Sequence, residues 1–327
     1  MRALIVGANG QDGRILWQQL DQQGCTILGL ARNETRASRC AWDNPVDIYS
    51  DEDVKQAVSR FRPDRLYFLA AYHHSSQDPG SHATPVWTPS WRTHVEAFRH
   101  FLEAIRILGL STRVFYASSS RIFGMPAISP QTEETPYKPT CIYGITKATA
   151  MMLARHYRES QGVWASCGIL YNHESSYRGS DFLSKKVITT LVAVKKGATT
   201  RLEIGSLDAQ VDWGYAPDYT EAMQLILSAE SPDDFIIATG KTQTVRQMIE
   251  IAARCLDLDW RRVVVENPAL LKRVSLSLCG DASRLRARTG WAPSTSFQRM
   301  VEIMICEAER SSGSIGRQEV YNSCPVS

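Results

Sequence analysis

Hydrophobic residues in this chain fall in short unbroken runs separated by longer amphipathic stretches. Residues 3–6, 26–31, 66–70, 114–117 and 164–170 are such runs. Apolar runs of this length without polar alternation predict strands buried on both faces. Between them, residues 11–23 carry Ile15, Leu16 and Leu20 at helical spacing, and residues 53–61 and 95–108 also read as helices. Strand and helix alternate, which predicts an α/β fold: a doubly wound parallel sheet covered by helices on both sides. Past Tyr171 the pattern loosens. Helices are expected at 182–196, 244–256 and 297–309, and a strand at 235–238. The expected organisation is a sheet domain over residues 1–170 and a smaller α/β lobe over 171–310. Within that lobe, a segment of roughly 207–245 is expected to return to the first domain. Residues 311–327, rich in serine, read as a flexible tail.

The first apolar run ends in Gly7-Ala8-Asn9-Gly10-Gln11-Asp12-Gly13, placed between a strand and a helix. Glycines there make a tight turn and let the backbone approach a pyrophosphate at the helix N-terminus. The turn therefore reads as a dinucleotide site, with Asn9, Gln11 and Asp12 completing it; an ordinary glycine turn is the plainer alternative. The second run ends at Ala31-Arg32. NAD sites usually place an acid here for the ribose 2′-hydroxyl. Arg32 instead offers a forked cation to a 2′-phosphate, so NADP is expected over NAD, with Glu34 arguing the other way. Asp47 and Ile48, following an expected third strand, should flank the adenine. Leu69, Ala70 and Ala71 should lie under the cofactor.

Tyr143 and Lys147 are four residues apart on a stretch that reads as helix, and so share a face. A free phenol titrates near about 10, too high for a base at neutral pH, and a nearby ammonium favours its phenolate. Ser119 follows the run at 114–117 and can hold a substrate hydroxyl, although a turn serine often only caps backbone. Glycine turn, serine, then tyrosine and lysine describe hydride transfer between a nicotinamide and a secondary alcohol.

Composition narrows the partners. The chain has 327 residues and is 43% hydrophobic, enough for a large core. Its net charge is +3 and its basic stretch at 32–39 is short, so no nucleic-acid partner is expected. Eight cysteines without a CxxC pair suggest reduced thiols rather than zinc or disulfides. No apolar run approaches the about 18 residues of a membrane span, and the first strand begins at Arg2, before any signal peptide could fit. A cytoplasmic protein without a membrane partner is expected. His73, His74, His82 and His94 lack ligand spacing, so no metal is expected. Cys141 lacks an activating His/Asp arrangement and reads as packing. Residues 73–91, rich in proline and tryptophan, read as a lid or binding loop.

Further motifs are Gly10-Gln11-Asp12-Gly13, residues 101–109, 157–160 and 168–175, Arg178-Gly179, Asp212-Trp213-Gly214, residues 237–240 and 245–247, Gly280-Asp281 and Gly290-Trp291. On these the chain resembles the extended short-chain dehydrogenases, and among them the GDP-mannose 4,6-dehydratases, almost end to end. The resemblance implies a Rossmann domain, a GDP-linked sugar oxidised at C4, and a homo-oligomer, dimeric or tetrameric. It implies substrate contacts at Asn172 and Arg178, with Glu174 in the same segment, and Ser120 and Arg121 beside Ser119. Lys186 and Arg246 are further candidates for diphosphate or sugar contacts. The departures are Val211, where the family has an arginine, a faint echo at 271–275 of a C-terminal motif, and a shorter loop after Arg32, which puts the tetramer contact in doubt. The largest is Arg121, where the family has the glutamate that removes the C5 proton. A guanidinium stays protonated and has no acceptor. Three outcomes stay open. In one, Glu133 or Glu174 supplies the carboxylate for dehydration. In another, the 4-keto sugar is reduced again, as in a 4-epimerase, a 4-ketoreductase or a net 4-dehydrogenase. Or the chain is an idle nucleotide-sugar-binding partner subunit, against which the intact Ser119, Tyr143 and Lys147 stand.

Overall fold

A computed structural model describes residues 1–32, 34–42, 44–72, 86–270 and 277–313. His73, His74, His82, the stretch 271–275 and the expected tail beyond residue 313 lie outside the described residues. The main sheet holds β1 (Arg2–Val6), β2 (Thr26–Ala31), β3 (Glu34–Ser38), β4 (Arg65–Phe68), β5 (Arg113–Ala117), β6 (Ala165–Leu170) and, much later, β10 (Asp234–Ile237). Their order is β10-β6-β5-β4-β1-β2-β3, parallel throughout except for β3. The third strand differs from the expectation of one just before Asp47. It is an edge strand paired antiparallel with β2, Ala31 opposite Glu34. Its half-polar sequence, Glu-Thr-Arg-Ala-Ser, suits an edge, and hides it from a search for apolar runs.

Each central strand sends alternate side chains to opposite faces. Leu4 and Val6 of β1 join one core with helices α2 (Asp51–Phe61), α4 (Ala97–Ile107) and α5 (Ile142–Ser160). Ala3 and Ile5 join the other with α1 (Gln11–Gln22), α7 (Ala216–Ile226) and α10 (Ser283–Thr289). The sheet is thus doubly wound. Short α3 (Trp87–Trp91) and a π-helical turn at Arg92–Glu96 lead into α4.

The lobe is built around α6 (Leu183–Lys195), α8 (Val245–Cys255) and α11 (Phe297–Gly313), whose Val187, Leu191, Met248 and Met304 pack on Trp213. α11 runs through Gly313, past the point where a flexible tail was expected to begin. Two small sheets line the lobe. One orders β11 (Thr242–Thr244), β9 (Gln210–Tyr215) and β7 (Asn172–Glu174); the other pairs β8 (Leu202–Ile204) with β12 (Val264–Glu266), which follows short α9 (Trp260–Val263). The chain rejoins the main sheet at α7 and β10, and again where Leu285 and Trp291 enter its second core.

Asp212 on β9 holds this seam. Its carboxylate accepts from Thr239 N (3.0 Å), Thr239 Oγ1 (2.5 Å), Gly240 N (3.1 Å) and Gly280 N (3.2 Å). Burial nevertheless leaves its pKa raised against those bonds. Asp212→Ala strands buried N–H groups, so unfolding stability should fall by about 2–4 kcal/mol in chemical denaturation. An unchanged midpoint would show that the seam is held elsewhere.

Candidate active site

The carboxyl edge of the parallel sheet opens into a cleft of ≈ 1530 Å³. β1 delivers Gly7 to it, β4 delivers Leu69, Ala70 and Ala71, β5 delivers Ser118 to Arg121, and β6 leads through Tyr171 to β7. Crossover connections bring these strand ends together, which is why a parallel sheet collects its site there.

Gly7 has φ +97°, and a β-carbon there would come within 2.8 Å of Ala70 N. A β-carbon on Gly13 would run into Gly7 O, so the helix starts hard against the turn. Asn9, Gly10, Gln11 and Asp12 line the cleft, as do Arg32, Glu34, Asp47 and Ile48. The side chains of Gln11 and Asp12, however, reach across to β7. Gln11 Nε2 donates to His173 O (3.0 Å) and its Oε1 accepts from Ser175 Oγ (2.9 Å). Asn9 Nδ2 donates to Glu34 Oε2 (2.8 Å) at the end of the hairpin.

α5 begins at a Cys141 cap whose Sγ accepts from Gly144 N (3.4 Å), so the thiol caps the helix where packing was expected. Tyr143 therefore sits in the first turn, and Lys147 one turn deeper on the same face. Ser119, at the end of β5, and Tyr143 line the same part of the cleft. The charges differ from the sequence expectation. Burial pushes Tyr143 up to about 12, opposed by the positive charge of Arg178 and by the nearby Ser119 hydroxyl. Burial also pushes Lys147 down to about 7. Its Nζ donates to Ala117 O at 2.7 Å and lies 5.7 Å from the centre of the Tyr143 ring. Lys147 is 1% exposed, so its ammonium is desolvated, and the cation that eases ionisation of Tyr143 is Arg178.

Sequence reasoning missed the support behind Tyr143. His94, in the π-helical turn, meets its ring edge-on at 5.2 Å. The Tyr72 N–H donates to His94 Nε2 (2.9 Å), which leaves the ring proton on Nδ1 facing Thr146 Oγ1 (2.7 Å). The π-helical turn that aims this ring is irregular backbone that no side-chain periodicity announces.

Ser120, Arg121, Asn172, Glu174 and Arg178 line the cleft. Glu174 is 2% exposed; it accepts from Ser184 Oγ (2.6 Å) and faces Arg178 Nε at 3.1 Å, while the Arg178 guanidinium stacks on Phe182. Lys186 and Arg246 are not among the lining residues. Lys186 stays on α6, and Arg246 pairs with Asp208 (2.9 Å) beside Trp260. Glu133 does not line the cleft either. Its Oε1 accepts from Ile236 N (2.9 Å) on β10 and its Oε2 faces Arg284, so it is not placed to act on a cleft ligand.

The family profile described as GDP-mannose 4,6 dehydratase matches residues 4–304. GDP-mannose 4,6 dehydratase 2 of Arabidopsis thaliana is 33% identical over 93% of this chain and 86% of its own length. The GDP-mannose 4,6-dehydratase of Vibrio cholerae is 31% identical over 94% and 93%. Among solved structures, RMD from Pseudomonas aeruginosa complexed with NADPH shares the fold with a TM-score of 0.81 at 19% identity, covering 95% of this chain and 99% of that one. UDP-glucose 4-epimerase of Thermotoga maritima with UDP-glucose shares it at 0.82 and 18%, covering 96% and 100%.

One ion pair joins the two walls of the cleft. Asp12, in the first turn of α1, accepts from His173 Nε2 on β7 at 3.0 Å, while Nδ1 of His173 faces Tyr171 O at 2.7 Å and the ring stacks on Tyr219. Burial opposes charge on both groups, but the pairing outweighs it: Asp12 is lowered from 3.8 and His173 raised from 6.5. Imidazolium stability is full below 6.5 and is lost as pH rises through the higher folded value. Carboxylate stability is full above 3.8 and is lost as pH falls through the lower folded value. Urea denaturation of His173→Gln should therefore show its largest deficit against the parent between pH 3.8 and 6.5, shrinking as pH rises beyond. A deficit independent of pH would remove the ion pair from the account.

Proposed function

Because the chain belongs to the GDP-mannose 4,6-dehydratase family, we propose that it binds NADP and a GDP-linked sugar and oxidises that sugar at C4. The observation that carries this reading is the gathering of Ser119, Tyr143 and Lys147 in the cleft that the glycine turn opens. The turn leaves no room for side chains where a pyrophosphate would rest, which supports a dinucleotide. The Ser118 hydroxyl is buried there with no hydrogen-bond partner among the described residues, a polar atom suited to a bound cofactor. Arg32 is an exposed cation at the end of β2, suited to a 2′-phosphate. Glu34 already accepts from Asn9 and lies 3.5 Å from Arg36.

NADP, when bound, supplies the hydride acceptor. Tyr143 takes the proton of the sugar 4-hydroxyl and Ser119 holds that oxygen. Arg178 offsets part of the cost of the phenolate in the buried site. Lys147 is fixed by Ala117 O at the cleft floor. The oxidising half of a 4,6-dehydratase is thus supported. A second reading, return of hydride to C4 as in a 4-epimerase or 4-ketoreductase, is favoured by Arg121, a cation where elimination needs a base. A cytoplasmic homo-oligomer belongs to the same reading.

Mixing the protein with NADP and GDP-mannose should raise reduced-nicotinamide absorbance or yield product. Tyr143→Phe should lower kcat about a thousandfold while NADP affinity stays within about threefold; retained turnover sinks the assignment. Arg32→Ala should weaken NADPH by about tenfold or more and leave NADH affinity nearly unchanged. Equal losses for both would deny Arg32 its 2′-phosphate. In deuterated water, label at C5 supports dehydration, and turnover without it supports hydride return.

A further inference from the structure

Arg121 lines the cleft, half-buried, and among the described residues its guanidinium makes no hydrogen bond or ion pair. Its neighbours are committed: Arg178 faces Glu174, and Lys147 donates to Ala117 O. A cation held partly out of water without an acceptor is costly, and a ligand carrying an anion to it gains a charge-assisted, forked contact.

We infer that Arg121 selects a sugar bearing a carboxylate at C6, so that the substrate class is a GDP-linked hexuronate. The inference rests on the C4-oxidation reading above. Arg121 lies two residues past Ser119 on the turn that follows β5, its backbone N–H donates to Ser119 Oγ at 3.3 Å, and both residues line the cleft with Tyr143, so the guanidinium belongs to the end of the cleft where oxidation would take place. In a hexopyranose C4 is flanked by C3, which bears a hydroxyl, and by C5, which bears C6. Of these, C6 is the position that oxidation turns into a carboxylate. The diphosphate hangs from C1, across the ring from C4, and is the wrong anion for this end of the site. A hexuronate also has no C6 hydroxyl to eliminate, so a site that reads it has no use for a base at this position.

The test compares GDP-mannose with GDP-mannuronate, which differ only at C6. Binding of each to the NADP-loaded protein and to Arg121→Gln and Arg121→Lys is measured by calorimetry, with nicotinamide reduction followed in parallel. The parent should bind the uronate about 10- to 100-fold more tightly. Arg121→Gln should bring that ratio close to one, and Arg121→Lys should keep part of it. The ratio is taken within one preparation, so a loss of folded protein cancels. Equal or tighter binding of GDP-mannose by the parent, or a preference that survives Arg121→Gln, overturns the inference. A preference that behaves as expected with no hydride transfer to either sugar upholds the anion site and overturns the C4-oxidation reading. Failure of both sugars to bind overturns both.

Discussion

The two walls of the cleft are joined by a pair of opposite charges that neither could carry alone. Asp12 starts α1 directly after the glycine turn; His173 lies on β7, at the entrance to the lobe. Each is drawn into its charged form against its own desolvation. Removing one partner strands the other, so the pair ties the glycine-turn wall to the β7 wall. Gln11 reinforces the tie through His173 O and Ser175. The distance between the glycine turn and Arg178 is set by these contacts, and Arg178 in turn biases Tyr143.

Tyr143 illustrates how a protein can hold a base in reserve. A phenol raised to about 12 is a poor base, and a lysine lowered to about 7 contributes only part of an ammonium at neutral pH. Desolvation dominates both because the cleft floor is built from strand ends packed under α5. The same low polarity strengthens any charge that enters the site beside Tyr143. His94 locks the ring orientation through its contacts with Tyr72 and Thr146, so the proton acceptor is positioned before a substrate arrives.

Much of this was legible in the sequence wherever one physical demand leaves one kind of residue. Parallel strands must be apolar on both faces, and β1, β2, β4, β5 and β6 stood out as runs. The glycine turn stood out because no side chain fits between Gly7, Gly13 and Ala70. What hid were features decided by long-range contact. β3 is half-polar because only one side of an edge strand is paired. Arg246 looks like an anion ligand until Asp208 is found beside it, and Glu133 looks like a spare base until β10 supplies an N–H for it to accept. Asp12 lines the cleft beside the glycine turn, and its pairing with His173 was hidden because that partner lies far along the chain.

The charge count inside the cleft separates two chemistries that share one oxidising apparatus. Oxidation at C4 needs an acceptor for an oxygen-bound proton, the part proposed for Tyr143 with Ser119. Elimination across C5 and C6 needs in addition a carboxylate free to take a proton from carbon. Of the carboxylates lining the cleft, Asp12 is bound to His173, Glu174 to Ser184 and Arg178, and Asp212 to Thr239, Gly240 and Gly280, while Glu34, Asp47, Asp53 and Asp181 line it as well. Protonating Asp12, Glu174 or Asp212 would weaken the charge-assisted bonds that hold it. Arg121, in contrast, has its positive charge to offer and no acceptor. Exchanging a carboxylate for a guanidinium at such a position shifts local charge by two units in a poorly solvated site. That change is the physical ground on which the proposed anionic ligand rests, beside the hydride step at C4 proposed for Tyr143 and Ser119.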